Sequence, residues 1–580
     1  MNRAQILAGV GVLLVATAVR LPAVTGGLPY ASYIDEGHVL HHVVHLLAAR
    51  TWEPDTYSYP SLPFYTVAAA AVAYSPVYAA LHDRPLRQDL SEDPARYYDI
   101  VEPTELMVLG RLITLAFSLG TVVMTGLLAW RVAGPAAGLF AAWLAALVPG
   151  LVARSAIVNV NPMACFFVLG ALLFAEGARD GSRPRRDAML AGAMSGLAAA
   201  TKYPAALVFL SVVLALLIAR IPWRERWVRL LLASGAAAAA LLLAMPALLL
   251  RTGKVLAGLR EMSIVYSLQE AGSYWDQAIR RAEWDLPLEH PEVGITFLLL
   301  AGAGLVVGLL DSRWRSSVWG WLLFGAVTGL LVVPYKFRAF RNLLALVPLA
   351  CVLAGLFYAR IWQWFRRPLA VALAAAVLPV LLFAPALHSY IDHQLRLEDS
   401  REQAIRWLDE HAGPHDRVLF SQELAILPSR IASLQVGEID VQRWALAKER
   451  IRTRRYHYVV LGELTRRRGG GKIPLRVRDW IFSNYFLAAK FGHYPTAHYG
   501  GLFNGNGQVI YVLKQVSRKV EKDRTAVPAK PHPRPLSSGA GEGGRFPAGR
   551  ADRIYSARPS SPSPAPLERG PGGEVSRVDA

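Results

Sequence analysis

The sequence is poor in cysteine and in acid. Its two cysteines, Cys165 and Cys351, among 580 residues exclude a disulfide framework, and both fall inside apolar stretches, which excludes a thiolate metal site. It lacks a P-loop, and no G-x-G-x-x-G opens a helix after a strand, so nucleotide binding has no sequence support. No solenoid-type repeat is present. Asp and Glu number 43 against 62 Lys and Arg, a net charge of +19. Such an excess would ordinarily raise nucleic-acid binding. Here it is divided between short loops separating apolar runs and a Pro/Arg-rich tail, so membrane orientation accounts for it and no nucleic-acid partner is expected.

What the chain does have is apolar length. Hydrophobic residues make up 53% of it and mean hydropathy is +0.30, which points to a polytopic α-helical membrane protein. Membrane-length stretches fall near 4–22, 106–130, 135–153, 162–178, 188–201, 204–220, 228–250, 291–310, 317–334, 342–358 and 368–388, about eleven helices at roughly 20 residues per crossing. The first reads as an uncleaved signal-anchor. Alternate loops carry Arg131; Arg179, Arg183, Arg185 and Arg186; Arg220, Arg224, Arg226 and Arg229; Arg313 and Arg315; and Arg360, Arg366 and Arg367. By the positive-inside rule these loops and the N-terminus are cytoplasmic. Residues 1–388 then form the transmembrane domain, with 23–105 as a first outer loop. Residues 389–516 form a small extracytoplasmic α/β domain, with a helix at 400–411 and strands at Arg417–Ser421, Tyr456–Leu461 and Val509–Leu513. Residues 517–580 are rich in Pro, Gly, Ser and Arg and are expected to be disordered.

The first outer loop holds the sharpest candidates. Asp35 and Glu36 stand together in YIDEGHVLHHVVHLL, where a carboxylate can act as a general base at the membrane surface or simply cap a helix. At about 100° per residue, His38, His41, His42 and His45 share one arc and Val39, Leu40, Val43, Val44, Leu46 and Leu47 the other. This predicts an interfacial helix with its imidazoles facing water or substrate. The i, i+4 histidines have zinc-ligand spacing, but the Glu of H-E-x-x-H is missing, and a polar face is favoured over a metal site. A second amphipathic segment follows at YPSLPFYTVAAAAVAY. Elsewhere, Lys202 lies beside Tyr203 in TKYP at a helix end, as a functional cation or a snorkelling one. Lys336, Arg338 and Arg341 in PYKFRAFRN violate the charge trend, and Arg154 is a weaker member of the same set. Clustered cations on the outer side fit a bound anion such as a lipid phosphate, or contact with headgroups.

The run from RLPAVTGGLPYASYIDEGH through YPSLPFY, LGRLITLAFSLGTVVMTGLLAW, SAIVNVNPMACFF and SGLAAATKYPAALVFL resembles the GT-C class of bacterial polytopic glycosyltransferases. These are related to protein O-mannosyltransferases and lipid A aminoarabinose transferases. The resemblance spans roughly residues 5–390 and implies a polyprenyl-phosphate-linked sugar donor, a first-loop acid serving the chemistry, and a soluble domain after the last helix. Asp35 and Glu36 match the family's acidic motif and are the expected catalytic pair. Lys202 matches the Lys of the TK-x-P-like stretch. Asn161 stands where many relatives have Asp, and this weakens a metal-dependent mechanism. Tyr203, His38 and His42 complete the expected substrate-binding set. The implied activity is transfer of a sugar to a hydroxyl acceptor, with inversion, at the outer face of the bacterial cytoplasmic membrane. No cofactor is certain and a divalent metal stays open. Protein, lipid or polysaccharide stay open as acceptors. A lipid-linked-sugar transporter and an inactive GT-C-like assembly protein are the competing readings.

Overall fold

The computed structural model describes residues 2–30, 34–90, 103–267, 293–332, 340–365, 368–396, 400–421, 431, 434–439, 456–461, 480, 483–491 and 510–515. The chain divides into two units, Met1–Val516 and Ser517–Ala580; all described residues lie in the first.

Its helices are α1 (Arg3–Arg20), α2 (Pro22–Thr25), α3 (Ile34–Ala48), α4 (Leu62–His82), α5 (Thr104–Ala133), α6 (Pro135–Leu147), α7 (Pro149–Val152), α8 (Asn161–Asp180), α9 (Pro184–Thr201), α10 (Val208–Leu217), α11 (Trp223–Ala244), α12 (Ala247–Leu250) and α13 (Thr252–Ser267). They continue with α14 (Ile295–Leu310), α15 (Arg315–Val332), α16 (Leu346–Trp364), α17 (Pro368–Arg396) and α18 (Ser400–His411). Their ends are set by local chemistry. Asn2 caps α1 through a reciprocal box with Gln5, which satisfies two otherwise free N–H groups. Gly134, at φ +87°, ends α5, and Pro135 opens α6, because no other residue type turns so sharply at so little cost. Pro204 ends α9 and tightens the chain into a 3-10 turn, Tyr203–Leu207.

Among the described residues, eight helices are long and apolar enough to cross a membrane, and three shorter apolar ones accompany them. Each of the eleven expected stretches contains a described helix. Two differ from expectation in character. The second first-loop segment forms α4, 21 residues long and apolar on every side rather than amphipathic, with Val72, Val77 and Leu81 all exposed. By length and composition it qualifies as a span. Conversely α9, expected to span, is not among the candidates. It is rich in small residues and packs at backbone distance on α11: a Cβ at Gly192 would lie 2.0 Å from the Ala233 carbonyl oxygen, and one at Gly196 2.2 Å from that of Ala237.

The bundle core centres on α8, whose Val168, Leu169 and Ala171 are fully buried among residues of α5, α9, α10 and α15. Buried arginines stitch the helices together. Arg20 donates to Ser118 Oγ and to the carbonyls of Ala145 and Ala146, so α1, α5 and α6 share one guanidinium. At one end of the bundle the loop arginines are paired: Arg179 with Glu176, Arg131 with Asp180, Arg185 and Arg229 with Glu225, and Arg313 with Asp311.

After the bundle, α18 packs on a five-stranded sheet of β1 (Arg417–Ser421), β2 (Gln435–Ile439), β3 (Tyr458–Leu461), β4 (Tyr485–Phe491) and β5 (Ile510–Gln515). The spatial order is β2-β1-β3-β5-β4. β1 runs parallel to β2 and β3, while β5 is antiparallel to β3 and β4. The expected helix and all three expected strands are present; β2 and β4 were not foreseen. Arg401, at the start of α18, lies 3.6 Å over the ring of Tyr30, a cation–π contact joining this domain to the first loop.

Candidate active site

Asp35 lies in the first turn of α3, one residue inside its start. Its Oδ1 forms an ion pair at 3.1 Å with Arg341, which sits on the 3-10 turn Phe340–Leu343. Burial pushes the Asp35 carboxyl above its ordinary value, against the opposing pull of Arg341, Lys202 and Arg154. Lys202 leaves α9 in extended backbone. Its Nζ donates to Asn161 Oδ1 at 2.8 Å and to Asn342 Oδ1 at 3.4 Å. Asn161 begins α8 and is itself held by Asn159, whose Oδ1 accepts from both its backbone N and its Nδ2. Arg154, in the turn after α7, is 7% exposed. Residues far apart in the chain are thus brought into one region: Arg341 pairs with Asp35, Lys202 and Arg154 act on it electrostatically, and Asn161 joins through Lys202. Lys336 and Arg338 lie outside the described residues.

The two adjacent acids do not share surroundings. The sequence groups Glu36 with Asp35 as catalytic, but its side chain is fully buried and both oxygens are gripped by Arg111, at 2.8 and 3.0 Å. Glu36 Oε1 also accepts the backbone N–H of Val158. Arg111 in turn donates to the carbonyls of Val24 and Gly26. Successive helical residues point about 100° apart, so when Asp35 faces the cations Glu36 must face elsewhere. Its contacts join α3 to α5 and to the Arg154–Asn161 turn.

The histidine face also differs from expectation. His41 and His42 are buried rather than turned to water. Both meet Asp55, His41 Nε2 with Oδ2 at 3.0 Å and His42 Nδ1 with Oδ1. Burial opposes ionisation of Asp55, but the hydrogen bonds from His41 and His42 outweigh it and hold the carboxyl well below its ordinary range. His38 packs edge-on against His42 and at a tilt against Tyr59, and burial lowers its pKa to about 4, so the ring is neutral at neutral pH. Tyr203 donates to the Tyr57 carbonyl at 2.8 Å, which ties α9's end to the same loop.

Sequence reasoning missed Arg111, Asn159, Asn342 and Asp55. Arg111 was visible as a charge inside the apolar LGRLITL, a placement that calls for a buried partner. Asp55 carried no signal, because nothing in its spacing joins it to the histidines.

The donors around Asp35 do not fit a divalent metal. The charges acting on it are those of Arg341, Lys202 and Arg154, which repel a cation, and of Glu36, whose two oxygens are taken up by Arg111; Asn161 offers no negative oxygen. The arrangement suits an anion.

Comparison with known proteins agrees with this architecture. Residues 105–249 match the family model described as dolichyl-phosphate-mannose-protein mannosyltransferase. That segment contains Arg111, Arg154, Asn159, Asn161, Lys202 and Tyr203. ArnT from Cupriavidus metallidurans bound to undecaprenyl phosphate is similar in structure, with 13% identity and a TM-score of 0.50. The match covers 87% of this chain and 97% of that one. The Archaeoglobus fulgidus oligosaccharyltransferase matches with 12% identity and a TM-score of 0.46, over 79% of this chain and 69% of that one. The S. cerevisiae protein O-mannosyltransferase Pmt1-Pmt2 complex matches with 14% identity and a TM-score of 0.36, over 44% and 34%. No curated protein matches by sequence. The helical bundle with its small terminal sheet shares the fold of that ArnT structure, and the family segment lies within the bundle.

Proposed function

We propose that this protein transfers a sugar from a polyprenyl-phosphate donor to a hydroxyl acceptor at the extracytoplasmic face of the bacterial cytoplasmic membrane. The observation that carries the reading is one carboxylate, Asp35, ion-paired to Arg341 and surrounded by Lys202 and Arg154. A transfer of this kind needs a base next to a phosphate site, and this cluster holds both.

In the proposed step the donor phosphate takes Arg341, Lys202 and Arg154 as counter-charges, and Arg341 exchanges Asp35 for phosphate. The freed carboxylate accepts the proton of the acceptor hydroxyl as its oxygen attacks the anomeric carbon. The bond from that carbon to the phosphate oxygen breaks, and its electron pair leaves on the phosphate, stabilised by the three cations. A single displacement inverts the anomeric centre. The raised pKa of Asp35 makes it a better base than a solvated carboxylate. Asn161 does not supply a second acid; its amide oxygen orients Lys202, which an uncharged side chain does without neutralising the cation. The domain at 389–516 is a candidate for acceptor selection, among protein, lipid or polysaccharide.

Purified protein, wild type beside Asp35→Asn, incubated with polyprenyl-phosphate sugars tests the reading. Transfer is expected to fall by about 10²–10⁴-fold while donor binding persists. Equal transfer by both would remove Asp35 from the base role. No transfer by wild type with any donor would favour a binding or assembly protein.

A further inference from the structure

We propose that His41, His42 and Asp55 form a binding site for a divalent transition metal, zinc by preference, that clamps the acid-bearing helix α3 to the loop following it. Side chains of consecutive helical residues normally diverge by about 100°. Here they converge because His41 presents Nε2 and His42 presents Nδ1, and both reach the Asp55 carboxylate. One ligand atom from each residue lies within 4.8 Å of the others. Donors on a tetrahedral zinc, at bonds of about 2.0–2.1 Å, sit roughly 3.3 Å apart. The His41–Asp55 and His42–Asp55 separations of 3.0 and 2.5 Å open to that by less than about an ångström.

The chemistry of the donors selects the metal. Two imidazoles and one carboxylate suit zinc and its neighbours, whereas magnesium and calcium favour all-oxygen sites. The site is built rather than incidental. His42 is 3% exposed and walled by Phe64. Asp55 is one-third exposed, which leaves an entry path and room for water as a fourth ligand. The loop is fastened on either side of Asp55 as well: Glu53 pairs with Arg251 and Lys254, and the Tyr57 carbonyl accepts from Tyr203. A metal here fixes where α3 stands, and with it Asp35 about two turns away. The site is distinct from the Asp35 cluster, where the cations exclude a metal.

The test uses full-length protein in detergent, stripped with chelator and titrated with zinc by calorimetry and with cobalt as a spectroscopic probe. One equivalent of zinc per chain is expected, with the visible absorption bands of four-coordinate cobalt. Asp55→Asn and His41→Gln should each weaken zinc binding by at least about tenfold, and Asp35→Asn should leave it unchanged. Wild type also reports without any variant, through a melting temperature that rises with zinc concentration. Wild type without stoichiometric zinc would overturn the proposal. So would zinc binding untouched by both substitutions, or abolished by Asp35→Asn.

Discussion

At the scale of residues, the adjacent acids show how one helical step separates two tasks. Asp35 faces three cations and Glu36 a single buried guanidinium. In the proposed step Asp35 acts as a base only when deprotonated, so the activity of the wild type should fall as pH drops through its raised pKa. Arg341 pulls that pKa down, so Arg341→Gln should move the acid limb of the pH–rate profile to higher pH and raise KM for the donor. An acid limb that stays in place would separate Arg341 from the base. Glu36 makes a different prediction. Removing one member of a buried ion pair strands the other, at a cost of about 3–5 kcal/mol. Arg111→Met should therefore lower thermal stability sharply, and Glu36→Gln combined with Arg111→Met should cost less than the two separate losses added. Strict additivity in that double-mutant cycle would mean that the pair is not coupled. Much of the site was legible in the sequence. Asp35 announced itself through its neighbour and position, Lys202 through its apolar surroundings, and Arg341 through being on the wrong side for a loop cation. What could not be read was partnership. Glu36 looks as catalytic as Asp35 until Arg111 is found beside it, 75 positions along the chain.

At the scale of elements, hydropathy located the helices, but two have a composition that does not match the place expected of them. Apolarity reports what a helix would bury in lipid and is silent on what it buries in protein. α4 is apolar enough to span, and Phe64, Val67, Ala71 and Tyr78 pack it in one cluster with α3. α9 is not among the apolar candidates, and it is held by shape instead. Gly192 and Gly196, four residues apart, let its backbone approach α11 to contact distance, the small-xxx-small arrangement of membrane helix pairs. Any side chain at Gly192 meets the Ala233 carbonyl, which cannot yield. Gly192→Val should push the helices apart and cost more than the ~1–3 kcal/mol of ordinary overpacking. This is measurable as a lower melting temperature and loss of the monodisperse species in detergent. A variant as stable as wild type would show that α9 and α11 do not approach this closely. In the terminal domain, β1, β3 and β5 were readable from their apolar runs, whereas β2 (QVGEI) and the bulged edge strand β4 carry glycine or exposed residues that blur the alternation.

At the scale of the whole molecule, the site itself constrains the topology. Asp35, Asn161, Lys202 and Arg341 meet, so an even number of crossings must separate each from the next. Between Asp35 and Asn161 stand α4, α5 and α6; parity holds if α5 and α6 cross and α4 lies along the interface. Between Asn161 and Lys202 stand α8 and α9, so α9 must cross although its composition alone does not say so. Of the six described α-helices between Lys202 and Arg341, four, α10, α11, α14 and α15, are apolar candidates to cross, and α12 and α13 are not. The same assignment puts the arginine-bearing loops on one side, as the positive-inside rule asks, whereas a crossing α4 would turn every later loop over. Single-cysteine labelling in intact cells can decide this. The native Cys165 and Cys351 are buried and leave a quiet background, while Gln88, Ser182 and His415 are exposed. An impermeant maleimide should label Gln88→Cys and His415→Cys in intact spheroplasts and Ser182→Cys only after permeabilisation. Gln88→Cys labelled only after permeabilisation would mean that α4 crosses. Asp35 and Asn161 would then lie on opposite sides of the membrane, and the cluster on which the proposed chemistry depends could not form.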